Sequence, residues 1–127
     1  MGHAILIVDD SATTRAFIRR ALGMVGVEAD AIHEAADGAI ALALMKTVPV
    51  DFVFADLQMP NVDGEEMVRR MWADPALARV PVVMVSADPD ADRLEGLRAA
   101  GAAGYLRKPF TPEEFRTVVM PFFGGAN

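Results

Sequence analysis

Phe52-Val53-Phe54-Ala55-Asp56 is an apolar run that ends on a single acid and passes directly into Leu57-Gln58-Met59-Pro60-Asn61. A short continuous apolar run of this kind fits a strand buried on both faces, as in parallel sheets covered by helices. Asp56 then stands at the strand's C-terminal end, where open α/β sheets hold their ligands. It is the candidate reacting group.

The flanking sequence repeats the pattern. Ala4 to Val8 is a second apolar run, closed by Asp9-Asp10-Ser11, with Ser11 a candidate helix N-cap. Phe17, Ile18, Ala21, Leu22 and Val25 then recur at helical spacing while Arg15, Arg19 and Arg20 fall elsewhere, which predicts an amphipathic helix ending near Gly23 and Gly26. Ala29 to Ala35 mixes acids with apolar residues and is expected to be an edge strand before an Asp37-Gly38 turn and a short helix over Ala39 to Met45.

Beyond the central run, Asn61-Val62-Asp63-Gly64 leads into a helix over Glu65 to Trp72 with Met67, Val68 and Met71 on its apolar face, broken at Asp74-Pro75. Val80 to Val85 is another doubly buried strand, ending on Ser86, with a turn at Asp88-Pro89-Asp90. A helix through Leu94 and Leu97 to Gly101 precedes a brief strand at Gly104-Tyr105-Leu106, which reaches Arg107-Lys108-Pro109-Phe110. Thr111-Pro112-Glu113-Glu114 opens the last helix. Its apolar positions Phe115, Val118, Val119, Phe122 and Phe123 keep their spacing across Pro121, so a kinked continuation and a stop both stand, with Gly124-Gly125 as the end.

Strands alternating with helices imply an α/β domain, a parallel sheet covered on both sides in three layers. The strand ends carry Asp9 and Asp10, Asp56, Ser86 and Lys108, so polar groups converge on one edge of the sheet. The 127 residues fit one domain, 53% hydrophobic and 24% charged, with no apolar run of bilayer length. No secretory leader stands at Met1 to Ala4, so a cytoplasmic setting is expected. A net charge of −6 is the wrong sign for direct nucleic-acid binding, and the lack of cysteine excludes disulfides and thiolate chemistry. His3 and His33 form no ligand-spaced motif. Met24, Met67, Met71, Met84 and Trp72 are expected in core or boundary packing.

Val8-Asp9-Asp10, Asp56 with Met59-Pro60 and Asp63-Gly64, Ser86-Ala87, and Tyr105 with Lys108-Pro109-Phe110 together resemble a response-regulator receiver domain of two-component signalling. The resemblance runs from Ala4 to about Phe123 and makes residues 1–127 a single receiver domain. It implies a doubly wound, flavodoxin-like five-stranded sheet of order 2-1-3-4-5. Asp56 would be the phosphoacceptor, Asp9, Asp10, Asp56 and the Gln58 carbonyl the metal ligands, and Lys108 and Ser86 the groups that bind phosphoryl oxygens. Ser86 and Tyr105 would form a switch that alters the face made by the fourth helix, fifth strand and fifth helix. Gln58 and Asp88 match positions that tune phosphoryl lifetime, and Lys108-Pro109 matches a cis peptide. The donor would be a sensor histidine kinase or histidine phosphotransfer protein, and the reader a downstream protein.

Charge arithmetic agrees. Close carboxylates repel by on the order of 4 kcal/mol per pair at an intermediate effective dielectric, so such a cluster calls for a cation. All candidate ligands are hard oxygens, which favours Mg²⁺, with Mn²⁺ as a substitute. Taken singly, Asp9-Asp10 would serve as a helix cap, Ser86 as a cap, Lys108 as a surface charge and Tyr105 as packing. Two other doubly wound functions remain as alternatives. A flavin-mononucleotide carrier is opposed by Asp9 and Asp10, which would repel a phosphate, and an aspartate-nucleophile phosphohydrolase by Gln58, where that chemistry wants a second acid. The Asp9-Asp10-Ser11 start and the Met59 to Gly64 loop are similar to single-domain chemotaxis-type regulators, so the chain is expected either to work alone or to be cut from a longer regulator at Gly124-Gly125.

Overall fold

A computed structural model describes residues 3–87 and 91–123, without the side chains of 91–93. Strands β1 (His3–Val8), β2 (Ala29–Ala35), β3 (Phe52–Ala55), β4 (Val82–Ser86) and β5 (Gly104–Arg107) alternate with helices α1 (Ala12–Met24), α2 (Gly38–Met45), α3 (Gly64–Ala73), α4 (Ala91–Ala100) and α5 (Pro112–Val119). All strand pairs are parallel and the order is β2-β1-β3-β4-β5, the doubly wound arrangement expected.

Because successive side chains of a strand point to opposite faces, each apolar run feeds two cores. Leu6, Val8, Val53, Ala55, Val82 and Met84 pack with Ala41, Met67, Met71 and Leu97 from α2, α3 and α4. Ile5, Ile7, Phe52, Phe54, Val83 and Val85 pack with Ile18, Leu22, Phe115 and Val119 from α1 and α5. Burying each large side chain contributes about 1.5–3 kcal/mol, which is why the interior strands tolerate almost no polar residue before their last position.

Helices α1, α2, α3 and α5 begin on side-chain caps. Ser11 accepts from the Thr14 N–H, Asp37 from Ile40, Asp63 from Glu66, and Thr111 with Glu114 forms a capping box.

Several expectations are corrected. Phe17 is 45% exposed, because α1 buries Ile18, Ala21 and Leu22 while Phe17 turns outward against the Phe110 ring at 5.1 Å. Met24 and Trp72, expected in core or boundary packing, lie outside the core and are largely exposed, Trp72 resting against Gly101. β4 starts at Val82, two residues later than the apolar run, since Pro81 offers no N–H to a ladder. At Pro121 the chain neither kinks nor stops: α5 ends at Val119 and tightens into a 3₁₀ turn over Met120–Phe123. The turn at 88–90 and the end at Gly124-Gly125 lie outside the described residues.

Candidate active site

The sheet ladder continues one residue past β1, β3 and β5 and so fixes the main chain of the polar residues that follow. Asp9 N–H donates to the Ala35 carbonyl at 3.0 Å, Asp56 N–H to Val8 at 2.9 Å, and Lys108 N–H to Ser86 at 2.9 Å. Asp9, Asp56 and Lys108 are therefore set at one edge by backbone bonds, before their side chains interact.

Their side chains converge. Lys108 Nζ donates to Asp9 Oδ2 at 3.0 Å and to Asp56 Oδ2 at 3.4 Å. Asp9 is buried, and its Oδ1 accepts from the Ser11 N–H at 2.8 Å. Asp10 is exposed at the rim, yet Asp9, Asp10 and Asp56 each offer an oxygen within 4.8 Å of the others. Burial pushes the Asp56 carboxyl above its usual value; Lys108 and the Gln58 main-chain N–H pull it down, and the Asp9 charge adds to the rise. Burial alone would lower the Lys108 ammonium, but its bond to Asp9 and the charges of Asp56 and Asp9 hold it above the ordinary lysine range.

This donor set fits a divalent cation. It is three carboxylates with one ammonium among them, a net negative cluster of hard oxygens open to solvent on the Asp10 side. Gln58 stands exposed in the loop beyond Asp56, where its carbonyl was expected to contribute.

Two glycines and an asparagine shape that loop. Gly64 leaves no space for a Cβ, which would fall 2.3 Å from the Asp56 carbonyl oxygen, so α3 begins pressed against the acid's own main chain. Asn61 adopts φ 66°, and its amide donates to Asp37 Oδ2 at 2.8 Å, while Gly38 N–H donates to the Val62 carbonyl at 3.0 Å. The loop is thereby tied to the start of α2.

Ser86 is buried at the end of β4. Its carbonyl accepts from the Lys108 N–H and also, at 3.1 Å, from the Tyr105 hydroxyl. The half-buried Tyr105 thus turns toward β4, beside a cavity of about 30 Å³ bordered by Met84, Leu94 and Leu97. Lys108-Pro109 is cis. Asp88 lies outside the described residues. One contact escapes a reading by helical spacing: Arg15, placed with the solvent-facing residues of α1, donates to the Asp9 carbonyl at 2.5 Å. Its only hint was an arginine one helical turn beyond the Ser11 cap.

Comparison with known proteins decides the family. The model of the response regulator receiver domain matches residues 5–120. The chain belongs to the response-regulator receiver domains. It is 36% identical to the chemotaxis protein CheY of Pseudomonas aeruginosa over 97% of this chain and 98% of that one. The chemotaxis response regulator CheY4 of Vibrio cholerae superposes with a TM-score of 0.84 at 29% identity, covering 96% of this chain and 99% of the other. A receiver domain from a sensor histidine kinase of Pseudomonas aeruginosa PAO1, with a magnesium ion coordinated in its active-site cleft, superposes with a TM-score of 0.82 at 27% identity over 98% and 99% of the two chains. Receiver domains of this type are signalling switches rather than turnover enzymes, which removes the flavin-carrier and phosphohydrolase alternatives. Among the described residues no helix is long and apolar enough to cross a membrane.

Proposed function

We propose that residues 1–127 act as one cytoplasmic receiver domain in which Asp56 accepts a phosphoryl group from a sensor histidine kinase or histidine phosphotransfer protein. The convergence of Lys108 on both Asp9 and Asp56 supports this reading most directly. A carboxylate oxygen of Asp56 attacks phosphorus in line; the new O–P bond forms as the donor's N–P bond breaks, and the imidazole leaves with the bonding electron pair.

Asp9, Asp10, Asp56 and the Gln58 carbonyl would hold Mg²⁺, or Mn²⁺ in its place. When bound, the ion offsets the three acids and stabilises charge on the phosphoryl oxygens. Lys108 would stabilise the same charge, and the Ser86 hydroxyl would take a further phosphoryl oxygen. Gln58 and Asp88, each two residues beyond a site residue, stand as the positions that tune how long the phosphoryl bond lasts.

The switch is read through Ser86. Its hydroxyl is drawn toward the phosphoryl group, and because its carbonyl holds both the Lys108 N–H and the Tyr105 hydroxyl, movement of Ser86 changes what Tyr105 can reach. The face formed by α4, β5 and α5 then presents a different surface to a downstream protein. Direct nucleic-acid contact is opposed by the net charge of −6.

The test is incubation of the purified chain with Mg²⁺ and a small phosphodonor, followed by intact-mass measurement. Acid-stable, alkali-labile mass gain is expected, abolished by Asp56→Asn; unchanged labelling of that variant overturns the assignment. A pull-down with and without a beryllofluoride mimic of the phosphoryl group then identifies the downstream reader.

A further inference from the structure

Arg15 sits one turn into α1, yet its side chain is only 18% exposed because it folds back over the start of the helix. Nη1 donates to the Asp9 carbonyl at 2.5 Å, and Nε donates to Glu34 Oε1 on β2 at 2.7 Å. Glu34 Oε2 accepts in turn from Arg19 Nε at 3.0 Å, and Arg19 Nη2 reaches the Ile32 carbonyl at 3.3 Å. One carboxylate on the edge strand thus aims two guanidinium groups from α1.

The Asp9 carbonyl belongs to the peptide unit that joins the two acids, Asp9 and Asp10. That segment is held by the Asp9 N–H on Ala35, by the Ser11 N–H on Asp9 Oδ1 and by Arg15 on the carbonyl. The first fixes Asp9, and the second closes a turn across Asp10. Among the described residues, Arg15 is the side chain that bonds the carbonyl of the Asp9–Asp10 peptide, and so it holds the plane that sets where Asp10, the exposed acid, points. An ion pair at the protein surface is worth about 0–1 kcal/mol, so fold stability gives little reason for this arrangement.

We infer that Arg15 is a positioning residue for the divalent-cation site: anchored by Glu34, it fixes the Asp9–Asp10 peptide so that both carboxylates face Asp56. The inference rests on the proposed phosphoacceptor reading, in which those acids hold Mg²⁺. Arg15 bonds Glu34 and the Asp9 main chain, not a carboxylate of the proposed ion site. As a mere charge it would oppose a nearby cation, and as a geometric hold it favours one, so its two conceivable effects on Mg²⁺ affinity have opposite signs.

The experiment is calorimetric titration of Mg²⁺ into the whole chain, with thermal melts of the metal-free proteins alongside. Arg15→Ala is expected to weaken Mg²⁺ binding about tenfold, as loss of a group that orients metal ligands generally does. Arg15→Lys keeps the charge without the planar fork and recovers only part of that loss, and Glu34→Gln weakens binding in the same direction. Arg19→Ala, which removes the neighbouring cation without touching Asp9, stays within about twofold of wild type. Unchanged or tighter binding by Arg15→Ala overturns the inference, as does an equal loss from Arg19→Ala. If Arg15→Ala does not melt as a folded protein, Arg15→Lys and Glu34→Gln decide by the same criterion. A wild-type chain that takes up no Mg²⁺ removes the phosphoacceptor reading itself, whereas wild-type binding with an indifferent Arg15 removes only the positioning role.

Discussion

Lys108 donates to Asp9 at 3.0 Å across a sequence separation of 99 residues, joining the end of the first strand to the end of the last. Replacing Lys108 by methionine would leave a buried carboxylate facing Asp56 with no cation between them. The expected cost is about 1–2 kcal/mol, below that of a fully buried pair because Lys108 is a quarter exposed. Added Mg²⁺ should recover part of it, since the ion offsets the same repulsion. Phosphoryl uptake, by contrast, should stay at least about a hundredfold down even with Mg²⁺ present. Thermal melts and labelling time courses check the two halves.

Asp56→Asn should stabilise the protein while abolishing phosphorylation. The carboxyl is raised by burial and by Asp9, so in the folded protein its charged form is disfavoured despite Lys108. Removing that charge should raise the melting temperature by a few degrees, on the order of 1 kcal/mol, at neutral pH without Mg²⁺. The gain should shrink or reverse when Mg²⁺ is added. A metal-free Asp56→Asn protein that melts below wild type would count against a strained acid cluster.

Glu34 supplies a pH dependence of known sign. Its carboxyl is held below the ordinary 4.5 chiefly by the hydrogen bond from Arg15; burial opposes this, and the hydrogen bond and charge of Arg19 add to the lowering. A lowered folded-state value means the unfolded chain binds the proton first as pH falls. The contribution is therefore complete above about pH 5 and lost as pH drops from 4.5 through the lower folded value. Melting curves of wild type and Glu34→Gln should differ by about 0.5–1 kcal/mol at neutral pH and converge as pH falls through the lowered folded value. High salt should narrow the gap.

Gly101 has φ +120°, and a Cβ there would lie 1.7 Å from Trp72 Nε1, which donates to the Gly101 carbonyl at 2.9 Å. Gly101→Ala should cost about 2–3 kcal/mol from the clash and the backbone conformation together. Trp72→Ala combined with it should relieve the clash and leave only the backbone share, a non-additivity that a double-mutant cycle measures. Trp72 is the sole tryptophan, so its fluorescence should report the Gly101 change directly.

Where one residue's environment is set by its immediate neighbours, the sequence was legible. The runs ending at Val8, Ala55 and Val85 fit buried parallel strands, and their polar ends had one edge of the sheet to occupy. The Ser11 cap, the opening of the last helix at Thr111 and the Arg107-Lys108-Pro109-Phe110 approach were readable on the same local grounds. Phe17 and Trp72 were not, because helical spacing marks an apolar position without saying how wide the covering element is. Trp72 faces outward over the end of α4, a contact made by a helix that comes much later in the chain. Pro121 was undecidable from spacing, since a 3₁₀ turn keeps apolar residues on one side almost as well as an α-helix does. Arg15 was missed because its partner Glu34 lies 19 residues on, on a strand whose register against β1 no local pattern reveals.

The bond from Arg19 to the Ile32 carbonyl has a consequence outside signalling. β2 is an edge of the sheet, and a bare edge is a template on which another molecule's strand can add itself. With a guanidinium on one of its acceptors and the Glu34 ion pairs beside it, that edge is guarded against aggregation by charged groups that such an added strand would have to displace. Light scattering of Arg19→Ala at high concentration should therefore show self-association that wild type resists.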